Sequence, residues 1–219
     1  MPKTKHVTDA QTIENYRVAL ENAKNQPILA STMAEFGYDK AKIDEGWKIL
    51  EETRTAFDFN NKEDQETIQA RADFETKKLA LETQYTLDRK KAKVVFRTDS
   101  VTLKKLALEG TLPKAYINWV ETMRTFYKGI EADKTLQTQL ATLKVTTESI
   151  TQALNNLVAL ENARAIYLKE IGESQDSTKI KDSAFAKIDQ WMIDFKAVAK
   201  IAMEDNPQLL ETMGILVRS

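Results

Sequence analysis

Shifting this chain against itself by 107 residues brings its apolar positions, helix breaks and helix caps into register, and few folds are compatible with that. Ile13 falls on Val120, Tyr16 on Met123, Leu20 on Tyr127, Leu29 on Leu136 and Met33 on Leu140. Phe36 meets Leu143, the cap-type residue Asp39 meets Thr146, and Ile43, Trp47, Leu50 and Ala56 meet Ile150, Leu154, Leu157 and Ala163. Toward the end the offset reads as 106, with Asp99 and Leu103 on Asp205 and Leu209. Any two amphipathic helices align by period alone. Period does not explain an ordered series of kinked helix, cap, helix, long helix, cap and short helix. An internal duplication is expected, with an N-terminal tail over residues 1–7, one helical unit over 8–110 and a second over 113–215, packed as one elongated body.

Within each unit the period is helical. Phe185, Ile188, Trp191, Met192, Phe195 and Val198 recur every three or four residues, as do Tyr116, Trp119, Met123, Phe126, Tyr127 and Ile130. Only six Gly and four Pro occur in 219 residues, so few turns are encoded. The expected fold class is therefore all-α, an elongated multi-helix bundle of two similar units. Thr8 with Gln11 reads as a capping box, Pro27 as a kink or restart, and Gly37 with Asp39 as a stop followed by a new cap. A break at Asn60-Asn61 is expected to end one helix and start a long one over 62–97. Thr98-Asp99-Ser100 caps a short helix ending at Gly110, and Pro113 suits the first turn of the next, which divides near Asp133. Thr146 or Thr147 caps a helix closing at Gly172, another follows from about Thr178, and Asn206-Pro207 caps a last short one ended by Gly214.

Composition excludes several chemistries. There is no Cys, which removes disulfides, thiolate catalysis and Cys-ligated metals. The single His6 sits in the expected tail, so neither Glu-x-x-His di-metal motifs nor histidine acid–base pairs can form. No Gly-x-Ser-x-Gly, Walker-type or dinucleotide-binding glycine motif is present. Catalytic, cofactor-binding and metal-binding residues are accordingly expected to be none. Carboxylate runs such as Glu51-Glu52 and Glu63-Asp64-Glu66 have polar surroundings and read as solvated faces. The net charge of -1 argues against a general nucleic-acid or membrane binder. The start carries no apolar signal-like stretch, and no run is long enough to span a membrane, so a cytoplasmic location is expected.

Two features stand out between residues 62 and 105. The large apolar residues Phe74, Leu81, Tyr85, Leu87, Val94 and Val95 are sparse and irregular, too few to bury one face of a long helix. They are the expected self-interface. Arg89, Lys90, Lys91, Lys93 and Arg97 form a basic run, which could meet phosphate or an acidic partner. It equally complements the C-terminal end of a helix whose start holds Glu63, Asp64, Glu66, Asp73 and Glu75. That polarity suits antiparallel pairing of two such helices.

The stretch Trp191-Met192-Ile193-Asp194-Phe195, the ending Asp205-Asn206-Pro207-Gln208-Leu209-Leu210-Glu211, and the segment Ala107-Leu108-Glu109-Gly110 with Trp119 resemble a group of uncharacterised bacterial helical proteins. The resemblance covers the second half well and the first half loosely. It implies a bacterial all-helical protein and nothing about mechanism.

The expected function is non-enzymatic: a structural, self-assembling helical protein whose main partner is itself, as a homo-oligomer or filament-type scaffold. The alternative is an adaptor that binds an acidic protein, RNA or the ribosome through the basic run. A small-molecule pocket near Trp119, Tyr127 or Trp191 is a third expectation.

Overall fold

A computed structural model describes residues 7–215, so His6 and most of the expected tail lie outside the described residues. Among the described residues there are eight α-helices and no strand, and the fold is all-α. In chain order they are α1 (Asp9–Asn25), α2 (Pro27–Glu35), α3 (Lys40–Val95), α4 (Ser100–Lys105), α5 (Tyr116–Glu131), α6 (Lys134–Ala141), α7 (Thr147–Ala202) and α8 (Gln208–Thr212).

Local chemistry sets most of the starts. The Thr8 hydroxyl accepts from Gln11 N–H while the Gln11 side chain accepts from Thr8 N–H, a complete capping box. Pro27 opens α2 at a first-turn position that needs no donor. Asp39 accepts from Lys42 N–H at 3.0 Å, Asp99 from Thr102 N–H at 3.0 Å, and Thr146 from Ser149 N–H at 3.2 Å. Asp133 caps α6 by accepting from both Thr135 and Leu136 N–H.

Four expected boundaries are corrected. The short helix does not reach Gly110: α4 ends at Lys105, because the chain turns left-handed at Ala107. Asn60-Asn61 does not break the chain: α3 runs straight through it. Helical asparagine costs about 0.7 kcal/mol of propensity. Asn60 is 4% exposed, and its amide donates to Ser177 Oγ at 3.0 Å and Thr178 Oγ1 at 3.2 Å, so its polar group is satisfied inside a packed interface. Gly172 likewise does not close a helix, since α7 continues to Ala202. A mid-helix glycine costs about 1 kcal/mol relative to alanine, which packing along a long helix absorbs. Pro113 is not a first-turn residue; α5 begins at Tyr116 behind an Ala115 cap, and Pro113 lies in the preceding loop.

The elements recur in order. α3 and α7 each contain 56 residues and begin at Lys40 and Thr147. The turns repeat at the same spacing. Tyr38 N–H bonds Met33 O and Val145 N–H bonds Leu140 O; Leu108 N–H bonds Leu103 O and Ile215 N–H bonds Leu210 O. Each is the six-to-one bond of a helix-ending turn with a left-handed residue inside it. The second pair keeps the 107-residue offset, so the slip to 106 read at Asp99 and Leu103 is not present in the turns. At the left-handed position stand Gly37 (φ 84°) and Lys144 (φ 61°) in one pair, Ala107 (φ 50°) and Gly214 (φ 71°) in the other. A side chain there costs on the order of 1 kcal/mol that glycine avoids. Lys144→Gly and Ala107→Gly should therefore each stabilise by about 0.5–1 kcal/mol in urea titration, after allowing for the freer unfolded chain. A loss of stability in both would mean that those side chains contribute packing.

Contacts group the chain into two compact units, one from residues 7–65 and 172–215, the other from Glu66–Ile171. These divide the chain differently from the sequence repeats, because α3 and α7 each give their first half to one unit and their second half to the other. The first unit has a core of Ile13, Leu20, Leu29, Met33, Leu50 and the α7 residues Ile188, Trp191 and Phe195. The second unit packs Leu81, Tyr85, Phe126, Tyr127, Leu140 and Leu157 in its own core. Trp47 and Leu154 are partly buried, each against the core of its own unit. Phe36 and Leu143, expected inside, are both exposed, at 45% and 37%. Each lies directly before a left-handed turn residue, where the chain leaves the helix.

Candidate functional site

In the second unit α3 presents one face to the core and the opposite face to solvent. The expected self-interface divides between them. Leu81 and Tyr85 have no exposed surface and Phe74 is 9% exposed, so these three are core residues and not interface residues. Val95 is partly buried against the same core. The physical reason lies in α5, whose dense stripe supplies more apolar surface than its own length needs. Tyr85 meets Phe126 edge-on at 5.4 Å between ring centroids and Tyr127 at 6.1 Å. The chain thus covers Phe74, Leu81 and Tyr85 with its own residues and needs no second copy for them.

Leu87 and Val94 remain exposed, at 55% and 61%. They are joined by Ile68 at 68% and Leu79 at 66%, neither of them in the expected self-interface. The steps from 68 to 79 and from 87 to 94 are eleven and seven residues, each close to a whole number of helical turns, and the eight-residue step between the two pairs turns by about 80°, so the four lie within one broad face about 100° wide. Between them on this face lie Ala72, Thr76 and Thr83. Thr76 donates to Ala72 O and Thr83 to Leu79 O, both at 2.8 Å. Those hydroxyls already have partners, so covering the face would strand neither of them.

The basic run is partly committed to the fold. Arg89 donates through Nη2 to Leu108 O at 3.1 Å and Gly110 O at 3.0 Å, tying down the chain after α4. Lys91 lies 3.7 Å from Asp88. Asp88 is 5% exposed and accepts from the Tyr127 hydroxyl at 3.0 Å. Burial pushes the Asp88 carboxyl above its ordinary range, against the opposing pull of Tyr127 and Lys91, and burial likewise raises the Tyr127 phenol, reinforced by Asp88. Only Lys90, Lys93 and Arg97 of the run make neither an ion pair nor a side-chain hydrogen bond among the described residues.

Other expectations are also resolved by position. Glu63 is 5% exposed, not on a solvated face; its carboxylate stands 3.5 Å from Lys62 Nζ. Asp64 accepts from Ser174 Oγ at 2.6 Å. Of the three aromatic residues considered for a pocket, Tyr127 and Trp191 are core, and Trp119 borders a cleft. No helix among the described residues is long and apolar enough to cross a membrane.

No family model, no curated protein and no solved structure matches this chain.

Proposed function

We propose that this is a non-catalytic helical protein that associates with a second copy of itself through the outer face of α3, and that its two halves arose by internal duplication. The observation that carries the association is the exposed stripe Ile68, Leu79, Leu87 and Val94, spaced by alanine and self-bonded threonines. The repeated order of helices and turns supports the duplication.

Charge favours a second copy in antiparallel orientation. Asp73 and Glu75 lie beside the first half of the stripe, each also near a lysine of α3, while Lys90 lies within its second half and Arg97 beyond its end. An antiparallel partner sets acid against base at both ends, whereas a parallel one sets like against like. The stripe is roughly 40 Å long at about 1.5 Å per residue, and a contact about 10 Å wide buries on the order of 400 Å² per copy. That is below a standard interface of about 800 Å² per partner, so the association is weak and concentration-dependent.

Light scattering across a concentration series should show the mass rising toward a dimer at roughly 10–100 μM. Leu79→Glu with Leu87→Glu should hold the protein at monomer mass with its thermal unfolding unchanged. A wild-type chain that stays monomeric at the highest soluble concentration, or a double variant that still dimerises, sinks the proposal. An adaptor role for Lys90, Lys93 and Arg97 is a weaker reading, since Arg89 and Lys91 are occupied within the fold.

A further inference from the structure

Within the second unit, α3, the loop before α5, α5 itself and α7 enclose a cleft of about 460 Å³. Its walls are aromatic. Phe74 lies 5.9 Å from Tyr116 between ring centroids, and Tyr116 lies 6.2 Å from Trp119. Its charges are mostly positive: Lys78, Lys114 and Arg164 border it, against the single carboxylate of Glu82. Arg164 and Lys114 form no ion pair among the described residues, and Lys78 has a carboxylate only at 4.0 Å, that of Glu75.

Arg164 is held in a particular way. Its guanidinium carbon sits 4.3 Å over the Tyr116 ring. Held over the ring and with no ion pair among the described residues, the guanidinium keeps its N–H groups for a carboxylate or phosphate, which it can grip with two parallel bonds. The Tyr116 ring that carries the guanidinium also borders the cleft, while its own hydroxyl is buried and has no hydrogen-bond partner among the described residues. Burial raises that phenol above its ordinary range, so it stays protonated and able to donate. Aromatic walls, a guanidinium held over one of them and two further cations border one opening, the usual composition of a ligand site.

We propose that this cleft binds a small planar organic anion, an aromatic ring bearing a carboxylate or phosphate. The ring lies along Phe74, Tyr116 and Trp119. The anionic group meets Arg164, with Lys114 at the mouth. This does not depend on self-association: Phe74, Lys78 and Glu82 stand on a different side of α3 from the exposed stripe.

Isothermal titration of the full chain with three probes tests it: 2-naphthoate, the neutral 2-naphthalenemethanol, and inorganic phosphate. The naphthoate should bind at least about tenfold more tightly than the alcohol, as expected for a charge-assisted hydrogen bond, and phosphate alone should give no saturable heat. Arg164→Gln should weaken naphthoate by about tenfold while leaving the alcohol unaffected. Lys114→Gln, in an exposed loop position where folding is not at stake, should weaken it by a smaller factor. Equal affinity for naphthoate and alcohol, phosphate binding as tightly as naphthoate, unchanged naphthoate binding in both variants, or no binding at millimolar probe each overturns the proposal. The monomeric Leu79→Glu/Leu87→Glu chain should bind naphthoate as the wild type does, so failure of the cleft and failure of the self-association are read separately.

Discussion

Leu81→Glu is expected to unfold the second unit. Leu81 has no exposed surface and lies in a cluster with Tyr85, Phe126 and Tyr127. Replacing it removes about 1.5–3 kcal/mol of burial and forces a carboxylate into apolar surroundings without a partner. The combined loss should exceed about 4 kcal/mol, a large fraction of the stability of a domain of this size. Circular dichroism should show lost helix, and the chain should expose apolar surface. Leu79→Glu, two residues earlier on the same helix, is the control. Leu79 is 66% exposed, so the change should stay within about 0.5 kcal/mol. If both variants melted alike, the assignment of faces on α3 would be wrong.

Trp191→Ala should be comparably damaging in the first unit. The ring is 7% exposed, stacks on Phe195 at 5.4 Å and meets Tyr38 edge-on at 5.6 Å. Removing it leaves a cavity and forfeits the ring contacts, for a loss of about 3–5 kcal/mol. The opposite error at the same place has its own signature. Gly46 lies under this ring, and a Cβ there would come within 2.5 Å of it. Helix propensity alone favours Gly46→Ala by about 1 kcal/mol. The clash should outweigh that and leave the variant destabilised by about 1–3 kcal/mol. Urea titrations of both variants decide the point. A neutral Trp191→Ala would place the tryptophan at a surface.

These two sites differ in how readable they were. Trp191 belongs to a dense stripe, Ile188, Trp191, Met192 and Phe195, whose three-to-four spacing fixes a helix and its buried face without reference to anything else. Gly46 under its ring was not readable, because a helical glycine looks the same whether it faces solvent or an indole. Leu81 and Leu79 were harder still. In a sparse helix the apolar residues fall on more than one face, and only the neighbour decides which face is inside. Phe126 and Tyr127 on α5 cover Leu81 and Tyr85; nothing among the described residues covers Leu79 or Leu87. The cleft depended on the same information, since Lys78, Tyr116 and Arg164 come from three helices far apart in the chain.

What the sequence determined by itself was local. The all-α class, the capping box at Thr8, the caps at Asp39 and Asp99, the break near Asp133, the restart at Pro27 and the stop at Gly214 follow from interactions within about four residues, which the chain order already states. The continuity of α3 and α7 was decided by tertiary structure. Asn60 and Gly172 carry propensity penalties of about 1 kcal/mol or less, and such penalties lose to long-range partners. For Asn60 those partners are Ser177 and Thr178, more than a hundred residues away in sequence. Which half of each long helix belongs to which core was likewise invisible, because that choice is set by contacts between α3, α5 and α7 and not by any period along one of them.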